Sequence, residues 1–130
     1  MINKSGTFSF AKRMCSLRHA ARGVAAMLKE QPNARLHAIA SMAVIALGIF
    51  FQVSTGEWCF LVLAMMAVWA AEAFNTALEF LCDVASPEFH PLIRKSKDAA
   101  AGAVLLCAIG AIIIGIIIFL PHARSYLQLD

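Results

Sequence analysis

Three long apolar stretches dominate the pattern of hydrophobic and polar positions along the chain. Each comes close to the roughly 20 residues that a helix needs to cross the hydrocarbon core of a bilayer. The first, residues 36–53, has only His37 as an ionisable group, and the third, residues 99–120, contains no charged residue. The pattern therefore predicts membrane-spanning helices over about residues 35–53, 57–83 and 98–120.

A different pattern precedes the first span. Apolar residues recur at alternating steps of four and three from Phe10 to Leu28, and basic residues such as Arg18 lie away from that stripe. The spacing predicts an amphipathic helix over about residues 10–30, which Pro32 separates from the first span. A basic amphipathic helix beside a span is typical of one that lies at the cytoplasmic headgroups; the alternative is a simple topology anchor.

The second span interrupts its apolar sequence with a face of acids and other polar side chains. Glu72, Asn75, Thr76, Glu79 and Asp83 follow one another at intervals of three or four residues, so they share one face of a helix. An ionised carboxylate costs roughly 2.5–3.5 kcal/mol at the bilayer centre. Acids at such positions are functional candidates, and the deepest of them is Glu72.

Composition and charge agree with an integral membrane protein. The 130 residues are 61% hydrophobic and 15% charged, with a mean hydropathy of +0.75, whereas ordinary soluble domains are about 25% charged. Ten of the eleven Lys and Arg residues lie before the first span or between the second and third. The positive-inside rule then predicts a cytoplasmic N-terminus and an outside C-terminus.

The acidic face suits phosphoryl transfer, which needs a divalent metal, cations for the phosphate charge and a base. The chain has no GxxxxGK[ST] or GxGxxG motif, so a nucleotide would be held in another way. Glu79, near the predicted interface, is a sensible ligand for Mg²⁺, and Lys97 is a sensible phosphate partner. Glu72 lies deeper, where it would meet a hydroxyl presented from the lipid and act as its base.

Plainer alternatives stay open for most of these residues. Glu79 and Asp83 could form interfacial ion pairs, and Asn75 could donate a hydrogen bond between helices. His37 is interpreted as an interfacial residue near the start of the first span. Buried acids would also suit a proton- or ion-handling membrane protein, but the first and third spans lack ionisable groups in their interiors, which disfavours conduction.

The stretch EAFNTALEFLCDVASPEFHPLIRKSKDAAAGAVLL, which begins at Glu72, resembles the prokaryotic diacylglycerol kinase family. The family motif is E-x-x-N-[ST]-A-x-E-x-x-x-D, followed by a His-containing loop and K-D, and the resemblance extends from about Phe10 to Pro121. It implies a single all-α membrane domain over residues 1–130, with an amphipathic surface helix and three spans. It also implies a homotrimer in the bacterial cytoplasmic membrane, with composite sites between subunits.

The same resemblance implies a reaction and its partners. Family members use Mg-ATP to phosphorylate a lipid alcohol, either diacylglycerol or undecaprenol, and no nucleic acid is expected as a partner. The segments NARLHAIA and IIGIIIFLP look more like the undecaprenol kinase branch.

Site roles follow from the resemblance position by position. Glu72 matches the catalytic base and Glu79 a metal-binding glutamate. A second metal-binding glutamate of the family falls on Gln31 in ungapped register, with Glu30 one residue earlier. The positions that match nucleotide-binding residues are Lys12, His19 (a tyrosine in the family), Glu79, Glu88, His90, Lys97 and Asp98, and those that match motif positions of supporting role are Asn75 and Asp83.

Overall fold

The computed structural model describes residues 9–86 and 88–128, and this part of the chain is entirely helical apart from short connections. Three of the helices are long and apolar enough to cross a membrane, which confirms the prediction of an all-α protein with three membrane-spanning helices. The predicted domain of residues 1–130 extends beyond the described residues at both ends. In chain order the helices are α1 (Phe10–Glu30), α2 (Pro32–Phe50), α3 (Thr55–Ala85) and α4 (Pro91–Leu127).

The junction between α1 and α2 is a single extended residue. Gln31 has φ −102° and ψ 115°, and Pro32 starts α2 at the position where a missing N–H costs nothing. The side chain of Arg35 reaches back and donates to the carbonyls of Leu28 (3.2 Å) and Lys29 (2.7 Å), satisfying groups that a helix end leaves unpaired. The junction is therefore tied down, with Gln31 held between two helices.

The start of α4 differs from the predicted span. The helix begins at Pro91 rather than near residue 98, because His90 serves as its N-cap and accepts a hydrogen bond from the backbone N–H of Leu92 at 3.2 Å. Proline at the first helical position suits this start. The first turns of α4 thus carry Arg94 and Lys97 on a helix. A prediction from the length of an apolar stretch cannot detect this polar first part of α4.

The helices α3 and α4 form the main packing pair, and α2 contacts both. A buried cluster of Val53, Leu61 and Ile118 closes one end of this bundle, with Trp58 packed against it. At Gly48 of α2, an added Cβ would lie 2.6 Å from the Trp58 ring. Glycine at that position therefore lets α2 pass close to the Trp58 side chain.

The first helix lies largely outside this packing. Along α1 only Met27 is buried, and apolar side chains such as Phe10, Met14 and Leu17 are exposed. Within the described residues α1 packs against α2 and α3 but not against α4. A location at the membrane surface and the assembly of three chains remain predictions.

Candidate functional site

A polar cleft of about 240 Å³ lies between α2, α3 and α4. The intervals of three and four residues on α3 direct Glu72, Asn75 and Glu79 into it, and His37 enters from α2. The α4 side is apolar, with Val104 among its lining residues. Three of the five residues predicted to share one face of the second span therefore line this cleft, whereas Thr76 and Asp83 do not.

Glu72 is the most unusual side chain of the cleft. It is 1% exposed, and within the described residues neither carboxylate oxygen has a hydrogen-bond partner. The His37 ring lies beside it, with 4.0 Å between Nε2 and the Glu72 Oε2, which is too long for a hydrogen bond. Burial of an acid without a partner is unfavourable, so a ligand or a function is needed to explain it.

Glu79 lies one turn beyond Asn75 and is held from two sides. The Asn75 Nδ2 donates to its Oε1 and the Gln31 Nε2 donates to its Oε2, each at 3.0 Å. Asn75 thus bonds within its own helix, and the cross-helix contact comes from Gln31. The Asn75 Oδ1 and the Thr76 Oγ1 are buried without a partner in the described part of the chain.

This arrangement bears on the second metal-binding position, for which Glu30 and Gln31 were both candidates. Gln31 faces Glu79, whereas Glu30 is exposed and does not line the cleft. The Gln31 and Asn75 amides now face Glu79 with their nitrogen atoms. If both amides rotate so that their oxygen atoms face inward, they form with the Glu79 carboxylate a set of oxygen ligands that fits Mg²⁺.

The protein donors alone would leave such an ion incompletely ligated. Residues 9–86 and 88–128 contain no group of three His, Cys, Asp or Glu side chains that could hold a metal. Mg²⁺ ordinarily takes one or two carboxylates and completes its octahedron with waters and substrate phosphates. The donor set around Glu79 therefore fits an ion that arrives with a nucleotide.

A second cleft of about 320 Å³ adjoins the end of α3 and the start of α4. The Lys97 Nζ donates to the Asp83 Oδ1, as the ion-pair alternative for Asp83 expected, and the Arg94 Nε lies 3.9 Å from the Asp98 Oδ2. The cleft is thus lined by two cations and three carboxylates, and Lys97 and Arg94 are the lining groups that can donate to an anionic ligand. The predicted site residues that line it are Asp83, Glu88, His90, Lys97 and Asp98.

Two predicted nucleotide-binding residues stay apart from both clefts. Lys12 and His19 are exposed on α1, and the His19 Nε2 lies 3.4 Å from the Cys15 Sγ. Because α1 does not pack against α4 in the described part of one chain, a single copy does not bring these residues to the cleft around Lys97.

The interpretation of His37 as an interfacial residue missed its contact with Glu72. The two residues lie on different helices, so no periodicity within one segment could reveal the pair. His37 also lines an apolar groove of about 370 Å³ between α2, α3 and α4, which shares Leu36, His37 and Ala108 with the polar cleft. The groove and the cleft are thus adjacent.

The chain is similar in sequence to several bacterial proteins. It is 39% identical over 103 residues to an undecaprenol kinase of Bacillus subtilis, covering 79% of this chain and 84% of that protein. It is 37% identical over 113 residues to a diacylglycerol kinase of Synechocystis, covering 86% of this chain and 65% of that protein. Similarity to a diacylglycerol kinase of Escherichia coli is 24% over 118 residues, covering 91% of this chain and 97% of that protein.

The family model "Prokaryotic diacylglycerol kinase" matches residues 18–119. That range contains the polar cleft, the apolar groove and the cleft around Lys97. The buried acid on α3 and the matched range lead to the same conclusion: the chain belongs to the prokaryotic diacylglycerol kinase family.

Proposed function

We propose that this membrane protein is an ATP-dependent lipid kinase that phosphorylates the hydroxyl of diacylglycerol or undecaprenol. The observation that carries the proposal is Glu72, a buried carboxylate without a hydrogen-bond partner in the described structure, which lines the polar cleft next to the apolar groove. The apolar groove can bind the hydrocarbon tail of a lipid, and the Glu72 carboxylate can accept the proton of its hydroxyl group. Membership of a kinase family supports ATP as the co-substrate.

Glu72 acts as the base for the lipid alcohol. The hydroxyl oxygen forms a bond to the γ-phosphorus, the bond from that phosphorus to the β–γ bridging oxygen breaks, and ADP leaves. Glu72 accepts the hydroxyl proton as the new bond forms. Exclusion of water around a residue that is 1% exposed protects the phosphoryl group from hydrolysis.

The cleft around Lys97 takes the nucleotide. Lys97 and Arg94 supply positive charge to the phosphates, and Asp83 holds the Lys97 ammonium in place. His90 and Glu88 line the same cleft, where they contact the remainder of the nucleotide. Separation of the two clefts along α3 lets a lipid and a water-soluble substrate approach from different sides.

Glu79, which lines the polar cleft, would hold Mg²⁺ with the assistance of the amide oxygens of Gln31 and Asn75. When bound, the ion supplies positive charge to the β- and γ-phosphate oxygens. Replacement of a second carboxylate by the neutral Gln31 leaves one negative charge at this position, so the metal depends more strongly on the nucleotide for its ligands.

The active enzyme is a homotrimer with its nucleotide cleft at the cytoplasmic face. Support for the trimer comes from Lys12 and His19, which family resemblance assigns to the nucleotide but which do not reach the cleft of their own chain. A neighbouring copy would bring its α1 to that cleft. Support for the orientation comes from the basic residues that collect at the start of α4 and before α2.

In a direct test, purified protein in mixed micelles is incubated with Mg-ATP labelled at the γ-phosphate. Diacylglycerol and undecaprenol are supplied in separate reactions. Label should appear in the phosphate of at least one lipid, and in neither with Glu72→Gln. The ion-handling alternative predicts proton or cation flux in proteoliposomes without lipid phosphorylation. Absence of a labelled lipid from both wild-type reactions would contradict the kinase proposal.

A further inference from the structure

We propose that His37 binds the hydroxyl of the lipid substrate together with Glu72, so that the two side chains form a two-point clamp on the reacting oxygen. The inference rests on the proposed lipid kinase activity and adds a substrate-binding residue to it. It is carried by the position of His37, by the gap between its ring and Glu72, and by the unpaired oxygens of Glu72.

The position of His37 is where a lipid alcohol has to pass. His37, Leu36 and Ala108 line both the apolar groove and the polar cleft, and His37 is the only polar side chain among these three shared residues. An alcohol whose tail occupies the groove therefore meets the imidazole as its head group enters the cleft. The ring is mostly buried, with 15% of the side chain exposed, so its hydrogen-bonding groups act with little competition from water.

The gap between the two side chains matches one hydroxyl group. The His37 Nε2 and the Glu72 Oε2 are 4.0 Å apart, too far to bond directly and close enough for one oxygen atom to bond to both. An oxygen about 2.8 Å from each atom, an ordinary hydrogen-bond length, completes a bent bridge between them. Glu72, whose oxygens are buried without a partner in the described residues, gains the hydrogen bond it lacks.

The chemistry of the clamp favours attack. The lipid hydroxyl donates its proton to Glu72 and accepts a hydrogen bond from the N–H of His37 through one lone pair. Its second lone pair remains free for the γ-phosphorus. Two fixed contacts on the nucleophile restrict its position and direction, which is the kind of ordering that lowers the barrier of a phosphoryl transfer.

A second histidine–glutamate pair shows what a purely structural arrangement looks like in this chain. The His122 Nε2 lies 3.0 Å from the Glu57 Oε1, and both side chains are about one-third exposed. That pair is closed by a direct hydrogen bond and leaves no room for a ligand atom between the rings and the carboxylate. His122 therefore provides a matched control for substitutions at His37.

The test compares His37→Ala, His37→Gln and His37→Asn with His122→Gln in the micelle assay, with folding of each variant followed by thermal unfolding. His37→Ala should lower kcat/KM for the lipid by about tenfold, the value of one well-placed hydrogen bond, while KM for Mg-ATP stays within about twofold. Glutamine places an N–H near the position of Nε2 and asparagine does not reach it, so His37→Gln should recover most of the rate and His37→Asn little. His122→Gln should retain wild-type kinetics.

A hydroxyl-free analogue of the lipid separates binding of the alcohol from a structural effect. Its inhibition constant should be the same within about twofold in wild type and His37→Ala, because the lost contact involves an oxygen the analogue lacks. Equal weakening of substrate and analogue, or unchanged lipid kinetics in His37→Ala, would overturn the clamp while leaving the kinase proposal intact. A wild-type protein that phosphorylates neither lipid overturns both.

Discussion

Helix α3 carries two acids whose surroundings are opposite in kind. Glu57, at the start of the helix, accepts from the Ser54 N–H at 2.7 Å and the Ser54 hydroxyl at 2.8 Å, and pairs with His122 at 3.0 Å. Glu72 is almost completely buried and has no hydrogen-bond partner in the described part of the chain. The first acid is satisfied by the fold, and the second is left available for a ligand.

The difference separates an acid that stabilises the helix from one that we propose serves catalysis. Ser54 and Glu57 form a capping box, in which each side chain satisfies a backbone N–H of the other residue. Folding energy is gained there without a substrate. At Glu72 the fold holds a carboxylate in an unfavourable environment, which is typical of sites where function is maintained at the expense of stability.

The largest expected effect comes from removing the base. Glu72→Gln keeps the size of the side chain but cannot accept the hydroxyl proton, so lipid phosphorylation should fall by about 10²–10⁴-fold, the usual contribution of general base catalysis. KM for Mg-ATP should change little, because we place the nucleotide in the other cleft. Initial rates over a range of ATP concentrations measure both quantities. A variant within tenfold of the wild-type rate would exclude Glu72 as the base.

A second comparison concerns the metal-binding position. Glu79→Gln removes the carboxylate proposed to hold Mg²⁺ and should raise the half-saturating Mg²⁺ concentration by about tenfold or more. Gln31→Glu adds a second carboxylate opposite Glu79 and should lower that concentration. The matched control is Glu30→Gln, one residue away and exposed, which should leave the Mg²⁺ titration unchanged. If Glu30→Gln shifted the Mg²⁺ titration and neither Gln31→Glu nor Glu79→Gln did, the metal would be bound by Glu30, and the proposed site at Glu79 would be contradicted.

A smaller effect is expected at the nucleotide cleft. Lys97→Met removes the ammonium that Asp83 positions and should raise KM for ATP by about tenfold, as expected for one lost charge-assisted hydrogen bond to phosphate. KM for the lipid should be unchanged. Asp83→Asn should shift KM for ATP in the same direction by a lesser factor. If Lys97→Met instead altered only the lipid KM, the assignment of the two clefts would have to be exchanged.

The smallest effect on activity is expected at Glu57. Glu57→Gln weakens the capping box and the contact with His122, so the Tm should fall while the rate of lipid phosphorylation stays within about twofold of wild type, since the residue lies outside both clefts. His122→Gln should behave in the same way. A large loss of rate without a change in Tm would show that the Glu57–His122 pair is needed for activity, and would contradict its structural role.

The sequence predicts much of this molecule because the decisive signals are local. Apolar length identified the spans, and the intervals of three and four residues placed Glu72, Asn75 and Glu79 on one face. The S-x-x-E spacing of Ser54 and Glu57 is an equally local signal for a helix start. Each of these features depends on residues within a few turns of one helix.

Contacts between helices could not be predicted in the same way. The approach of His37 to Glu72 depends on how α2 packs against α3, and the hydrogen bond from Gln31 to Glu79 joins residues 48 positions apart. Which of Glu30 and Gln31 faces Glu79 depends on about 100° of helix rotation at a junction fixed by Pro32 and Arg35. The packing of α1 and α2 against α3 determines each of these contacts.

The most direct test of the account measures lipid phosphorylation and Tm on the same preparations of Glu72→Gln and Glu57→Gln. The prediction is a crossed result: Glu72→Gln loses turnover and keeps or raises the Tm, whereas Glu57→Gln keeps turnover and loses Tm. If Glu72→Gln lowered the Tm and turnover together while Glu57→Gln lowered neither, the buried acid would be a structural element, and the central claim that it is the base for the lipid hydroxyl would be contradicted.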